Sequence, residues 1–97
     1  LLYLASFHFI DNPKLALSFL NQALRLDPKN SDLYQYKANI QEAIEHSSLA
    51  ENNYLFAVQN DILNPFRREQ LADFYARCQE YDKCLQILTD ALASPSS

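Results

Sequence analysis

The sequence predicts an all-α fold built from antiparallel helical hairpins. Apolar side chains recur every three or four residues between prolines at positions 13, 28, 65 and 95, which is the spacing of one helix face. The alternation of apolar and polar residues that marks a strand never persists for more than a few positions. With 97 residues, 48% of them apolar, the chain can form one hydrophobic core and is too short for a second. We therefore expect residues 1–97 to form a single domain.

Capping signals predict where the helices begin. Asn12–Pro13 and Asn64–Pro65 each place a preferred N-cap residue before a proline, whose missing N–H costs nothing in the first turn. Ser48 and Glu51 have the spacing of a capping box, and Asp82 is a candidate cap of the last helix. Short connections make neighbouring helices antiparallel. The six predicted helices cover residues 1–11, 13–27, 31–45, 48–63, 65–79 and 82–93.

The predicted hairpins repeat with a constant period, which is the spacing from Ala16 to Ala50 and from Ala50 to Cys84. A small residue and a bulky residue alternate at matching positions of each second helix, because close helix crossings need a small side chain beside a large one. Ala38 and Ala72 supply small residues on the opposing first helices. The repeat units are approximately residues 1–30, 31–64 and 65–97. The matching sets are Ala16, Ala50 and Cys84; Leu20, Tyr54 and Leu88; Ala23, Ala57 and Ala91; and Leu24, Val58 and Leu92.

This pattern resembles the tetratricopeptide repeat, a helix–turn–helix unit of about 34 residues with the same order of small and large residues and often a closing proline. The resemblance covers essentially the whole chain, and the segment LRLDPKN around Pro28 is close to the usual end of a unit. The middle unit departs from the pattern at Lys37, Gln41 and Ile62, and Pro95 comes one place early in the last unit. The resemblance implies an αα superhelix, a solenoid of stacked hairpins, that binds other proteins.

The composition argues against several classes of function. Eight Lys and Arg against twelve Asp and Glu give a formal charge of -4, which disfavours nucleic acid as a partner. The absence of glycine excludes the glycine-rich loops that hold nucleotide phosphates, and we expect no cofactor. No apolar run reaches the roughly 18 residues of a membrane-spanning helix, so we expect no membrane insertion. Because the chain lacks Met even at position 1, we expect it to be a segment of a longer protein.

The residue types most used in catalysis and metal binding are scattered along the chain. His8 and His46 fall on different predicted hairpins, and neither has a second His four residues away, so we predict no metal site. Cys78 has no neighbouring base that would make it a nucleophile, and we expect a small buried thiol there. A disulfide between Cys78 and Cys84 stays open as an alternative. We predict that the chain itself is not an enzyme.

In the family that the sequence resembles, the first helices of successive units line a concave groove that binds an extended peptide or a partner helix. Four acids against one arginine make the corresponding face negative here, so we expect a basic or apolar protein or peptide as the ligand. Only Asn39 remains of the clamp that some family members use for a C-terminal carboxylate. Arg67 and Arg68 are expected at the rim. The predicted partner-binding residues are Leu1, Ala5, His8, Asp32, Gln35, Asn39, Glu42, Phe66, Glu69, Asp73 and Arg77.

The last predicted helix carries Leu85, Leu88 and Leu92 without a polar helix after it to cover them. Helical arrays normally need such a cap for solubility. We expect the parent protein to continue with further repeats, and self-association through this helix is the alternative.

These expectations favour a scaffold or adaptor module that binds a peptide or partner helix in a concave acidic groove. Two alternatives stay open. The segment could be a structural, self-associating part of a larger assembly, or it could recruit substrate for an enzyme whose catalytic domain lies elsewhere.

Overall fold

The computed structural model describes residues 12–93 and, within them, the side chains of residues 12–89. This part of the chain is all-helical and contains no strand, which confirms the predicted all-α class there. The predicted helix over residues 1–11 lies outside it. The five helices are α1 (Pro13–Leu26), α2 (Ser31–Ala43), α3 (Ser47–Gln59), α4 (Pro65–Arg77) and α5 (Tyr81–Ala93).

The capping predictions are confirmed at two helix starts and wrong at two others. Asn12 Oδ1 accepts a hydrogen bond from the backbone N–H of Leu15 at 3.1 Å, and Asn64 caps α4 in a related way. The capping box is absent, because α3 begins at Ser47 and Glu51 instead accepts a hydrogen bond from Tyr75 on α4. Asp82 lies within the first turn of α5 and not before it.

The turn between α1 and α2 and the turn between α3 and α4 have the same construction. Asn30 precedes α2, and Asn64 holds the corresponding place before α4 one repeat later. Each Oδ1 accepts a hydrogen bond at 3.0 Å from the backbone N–H two residues on. Each side-chain amide donates to an aspartate three residues earlier, Asp27 at 3.1 Å or Asp61 at 2.9 Å. Because the same side chains satisfy the same backbone groups, the two turns are structurally equivalent.

The turns inside the hairpins are also equivalent. Glu45 follows α2 with φ 66° and Gln79 follows α4 with φ 62°. In both turns the N–H of the next residue donates at 2.8 Å to the carbonyl five residues before it, as in a Schellman helix end. Glycine is the usual residue at such a position, and a residue with a Cβ costs about 1 kcal/mol there. These left-handed residues end α2 and α4 two residues before the predicted ends.

Each described helix packs on the helices next to it in sequence, most extensively α2 on α3 and α4 on α5. The hairpin formed by α2 and α3 is antiparallel, since Ser31 at the start of α2 donates to the carbonyl of Ala57 near the end of α3 at 2.7 Å. One core cluster joins α1 to α2 and contains Ala16, Leu20, Ala23, Leu33 and Ile40. The other joins α2, α3 and α4 and contains Ala38, Ala50, Tyr54, Leu71, Phe74 and Tyr75.

The alanines predicted at the close crossings are buried where the structure describes their side chains. The exposed fraction is 0% for Ala50, Ala57 and Ala38, and 2% for Ala72. Cys84, at the corresponding place in α5, is half-buried. The side chain of Ala91 lies outside the described ones.

Helices α2 and α4 lie side by side and run in the same direction. Three polar pairs join them, and in each pair the two residues are 35 positions apart. Because the same offset holds near the start, the middle and the end of both helices, the two helices are parallel. The pairs are Asp32 with Arg67, Gln35 with Gln70, and Glu42 with Arg77.

Candidate partner-binding surface

The candidate surface consists of the predicted partner-binding residues on α2 and α4. Leu1, Ala5 and His8 lie outside the described residues, and their placement stays a prediction. The structure brings the α2 residues against α4, so that most of their polar groups bind other residues of this chain. The described members are Asp32, Gln35, Asn39 and Glu42 on α2, and Phe66, Glu69, Asp73 and Arg77 on α4.

At the amino-terminal end of this surface, Arg67 joins the two helices. Its guanidinium donates to Asp32 on α2 and, at 3.1 Å, to Asp61 in the turn before α4. Burial alone would lower the pKa of Arg67, but hydrogen bonds to Asp32 and Asp61 outweigh it and raise the pKa. Hydrogen bonds from Asn64 and Arg67 lower the pKa of Asp61. Arg67 is only 7% exposed, so its predicted place at the rim is wrong.

In the middle, Gln35 links α2 to α4 through amide groups. Its Nε2 donates to Asn39 Oδ1 at 3.3 Å and lies 3.5 Å from Gln70 Oε1. Gln35 is 5% exposed, and its own Oε1 is buried without a hydrogen-bond partner in the described part. Gln35 therefore positions the helices more than it presents a free group to a ligand, whereas Asn39 is exposed.

At the carboxyl-terminal end, Glu42 receives hydrogen bonds from two helices. Arg77 on α4 donates to both carboxylate oxygens, from Nε at 2.7 Å and from Nη2 at 2.8 Å. The Tyr54 hydroxyl on α3 lies 2.8 Å from Glu42 Oε1 and 2.9 Å from Asn39 Oδ1, and its single proton can be donated to either. The polar chain from Gln70 to Arg77 thus joins α2, α3 and α4 and fixes their spacing.

The same contacts determine the protonation states of Glu42, Tyr54 and Arg77. The hydrogen bonds from Arg77 lower the pKa of the Glu42 carboxyl more than burial raises it. Burial, followed by the hydrogen bond with Glu42, raises the pKa of Tyr54 well above its usual range. The hydrogen bond to Glu42 is also the main reason that the pKa of Arg77 is raised. Glu42 and Arg77 are therefore both charged at neutral pH.

The negative charge of the surface is unevenly distributed. Asp32 forms an ion pair with Arg67, and Glu42 forms one with Arg77. Glu69 and Asp73 are exposed on α4 and form no ion pair within the part of the chain that the structure describes. The unpaired acidity is thus confined to one edge of α4.

Cys78 is exposed, so the predicted buried thiol is wrong. Partial burial and the nearby Glu42 carboxylate raise its pKa, which keeps the thiol protonated and poorly nucleophilic. Cys78 lines a cavity of about 150 Å³ between the start of α3, the end of α4 and the start of α5. In that cavity Glu51 accepts from the Tyr75 hydroxyl at 2.7 Å and lies 3.7 Å from Lys83 Nζ. Both cysteines are free.

Neither a metal centre nor a membrane span is formed by the described part of the chain. No cluster of three or more His, Cys, Asp and Glu side chains among residues 12–89 has the arrangement of a metal site. None of the five helices is long and apolar enough to cross a membrane.

Sequence reasoning missed Arg67, Gln70 and Tyr54 as members of the polar network. A signal for the cross-helix pairs exists in the sequence once the period is known. The repeat spacing is 34 residues, and side chains of α2 and α4 meet when they are 35 residues apart. At three places in the sequence, residues with this separation are a hydrogen-bond donor and an acceptor. No comparable signal announces Tyr54, because its hydroxyl comes from α3.

Comparison with protein-family models gives no match to this chain, and comparison with curated proteins gives no significant similarity.

Proposed function

We propose that the chain is a protein-interaction module of the tetratricopeptide type. Its hairpins stack into a shallow superhelix, and the first helices line a groove for a peptide or a partner helix. It holds and positions another protein and carries out no reaction of its own.

The observation that carries this proposal is the recurrence of both turn types one repeat later, with α2 and α4 parallel. A helical bundle assembled without repeats has no reason to build its turns twice from the same side-chain and backbone bonds. Solenoids are built from such repeated units, and their extended faces are used for binding.

The proposed mechanism is preorganisation. The Arg67 and Arg77 contacts and the Gln35–Gln70 pair fix α2 against α4 before a ligand arrives. Rigid helices lose little conformational entropy on binding, so more of the contact energy appears as affinity.

The chemistry of the free groups favours a basic or apolar ligand. Glu69 and Asp73 are available for lysine or arginine, and Phe66, 47% exposed, is an apolar anchor. A ligand carboxylate would have to compete with Glu42 for Arg77, which is already bound by two short hydrogen bonds. The preference for basic ligands thus depends on Glu69 and Asp73.

The test is a titration of the ¹⁵N-labelled chain with a library of extended peptides that differ only in charge. Binding in the groove is expected to shift the amide signals of Asn39, Phe66 and Asp73 with Lys-rich and apolar peptides. The signals of Asn52 and Phe56, exposed on α3, serve as the internal control. Shifts confined to α3, or a preference for acidic peptides, would contradict the groove.

A further inference from the structure

The face of α5 that carries Leu85 and Leu88 corresponds to a face of α3 that is covered by α4. Leu85 and Leu88 on α5 hold the places of Glu51 and Tyr54 on α3, one repeat later. Tyr54 is 1% exposed because α4 packs over it, and its ring lies 4.9 Å from that of Phe74. Leu85 and Leu88 are 61% and 41% exposed. Among the residues that the structure describes, no helix fills on α5 the site that α4 fills on α3.

The packing of α2 on α1 shows which side chains cover the corresponding face of a helix. Leu17 and Leu20 on α1 occupy the places of Leu85 and Leu88 two repeats earlier. They pack in one cluster with Leu33 and Ile40 of α2. Leu33 and Ile40 are seven residues apart, so two aliphatic residues at that spacing on one helix cover the leucines.

The edge of α4 places negative charge beside this apolar face of α5. Glu69 and Asp73 occupy on α4 the places that Gln35 and Asn39 occupy on α2. Gln35 donates a hydrogen bond to Gln70 on α4, the helix that covers α3. Arg67 of α4 holds the place of Leu33 one repeat later, and Gln70 comes three residues after Arg67. A residue at that place on a helix covering α5 faces Glu69, and a basic side chain there meets an unpaired carboxylate.

We propose that Glu69 and Asp73 of α4, with Leu85 and Leu88 of α5, form a docking site for an amphipathic helix of a partner protein. That helix carries two aliphatic residues seven apart and a lysine or arginine three positions after the first. This end site shares Glu69 and Asp73 with the proposed groove, but its apolar part, Leu85 and Leu88, lies on α5, and it does not rest on the groove proposal.

The test uses the 97-residue chain and a fluorescent alanine-based helical peptide of about 16 residues with the spacing Leu-x-x-Lys-x-x-x-Leu. A control peptide carries Glu in place of Lys. Fluorescence anisotropy is expected to show that the Lys peptide binds about tenfold more tightly than the Glu peptide. The double variant Glu69→Lys, Asp73→Lys is expected to reverse that preference. Binding through apolar contacts alone would show no such reversal.

Two further variants separate the end site from the groove. Leu85→Ser with Leu88→Ser is expected to abolish binding of the Lys peptide, with an unchanged helical circular dichroism spectrum. Arg77→Met, which removes the α2–α4 ion pair and keeps every residue of the end site, is expected to leave that affinity unchanged. Equal binding of both peptides, or loss of binding only with Arg77→Met, would overturn the proposal. Sedimentation that shows a dimer of the wild-type chain, abolished by the two serines, would make a second copy the occupant and overturn it as well.

Discussion

Helices α3 and α5 occupy corresponding places in the chain, yet the face of α3 that carries Tyr54 is buried and the matching face of α5 is exposed. Tyr54 on α3 is 1% exposed, and Leu88, at the matching position of α5, is 41% exposed. The more polar of the two residues is the buried one. Its hydroxyl is accommodated because Glu42 and Asn39 lie within hydrogen-bond distance. Burial at these positions is therefore set by the next helix in the array and not by the hydrophobicity of the residue itself.

The largest expected effect in this comparison is the loss of the Tyr54 ring. Tyr54→Ala should destabilise the chain by about 3 to 5 kcal/mol, as in other buried aromatic truncations. Leu88→Ala should cost about 1 kcal/mol, because much of that side chain is already exposed. Urea denaturation of both variants measures the difference. Equal losses would show that α3 and α5 have similar neighbours, contrary to the structure.

A second effect tests the close helix crossing on α3. Ala57 is fully buried, so Ala57→Leu should overfill the contact and cost about 1 to 3 kcal/mol. The matched control is Asn52→Leu on the exposed side of α3, where a change within about 0.5 kcal/mol is expected. Thermal and urea denaturation report both values. A neutral Ala57→Leu would mean that the helices do not cross where the repeat period places them.

A smaller effect compares the two hairpin turns. Glu45→Gly and Gln79→Gly should each stabilise the chain by about 0.5 to 1 kcal/mol, because glycine adopts the left-handed conformation without a Cβ clash. The gains should be equal, since the two turns are equivalent. Gln86→Gly, on the exposed side of α5, is the control and should lose about 1 kcal/mol. A gain at only one turn would indicate that the turns differ.

The smallest expected effect is a pH dependence of the α2–α4 contact. Arg77 lowers the pKa of Glu42 in the folded state, so this carboxylate stabilises the fold above its unfolded pKa of about 4.3. That contribution is lost as the pH falls through the lowered folded pKa. Because the Arg77 side chain is 52% exposed, its size should be only about 0.5 kcal/mol.

The measurement is the free energy of unfolding of the wild-type chain and of Arg77→Met between about pH 7 and pH 3. The variant should be less stable at pH 7 and should approach the wild type at low pH. Arg25→Met, on the exposed side of α1, should leave the wild-type pH profile unchanged. A constant difference between Arg77→Met and the wild type at all pH values would contradict the ion pair.

The asparagine caps could be predicted from the sequence because their causes are local. The asparagine caps before α1 and α4 depend on residues within one turn, and both lie where the sequence places them. The predicted ends of α2 and α4 are too late, since the left-handed Glu45 and Gln79 replace the glycine that normally marks such an end.

The candidate surface was less predictable, because the state of a charged residue depends on residues far away in sequence. By sequence alone, Asp32 and Glu42 count as free acids of the groove. Their partners, Arg67 and Arg77, are on α4 and become apparent only when α2 and α4 are placed side by side. Glu69 and Asp73 form no such pair with the side chains of residues 12–89. The assignment of the groove residues as a partner-binding site stays a prediction.

The parallel arrangement of α2 beside α4 is the central claim, and side-chain nuclear Overhauser contacts in the labelled chain test it most directly. The structure predicts cross-peaks between Gln35 and Gln70 and between Glu42 and Arg77, with the same offset of 35 positions at both places. Cross-peaks in the reverse register, such as Asp32 with Arg77, or none between α2 and α4, would contradict it.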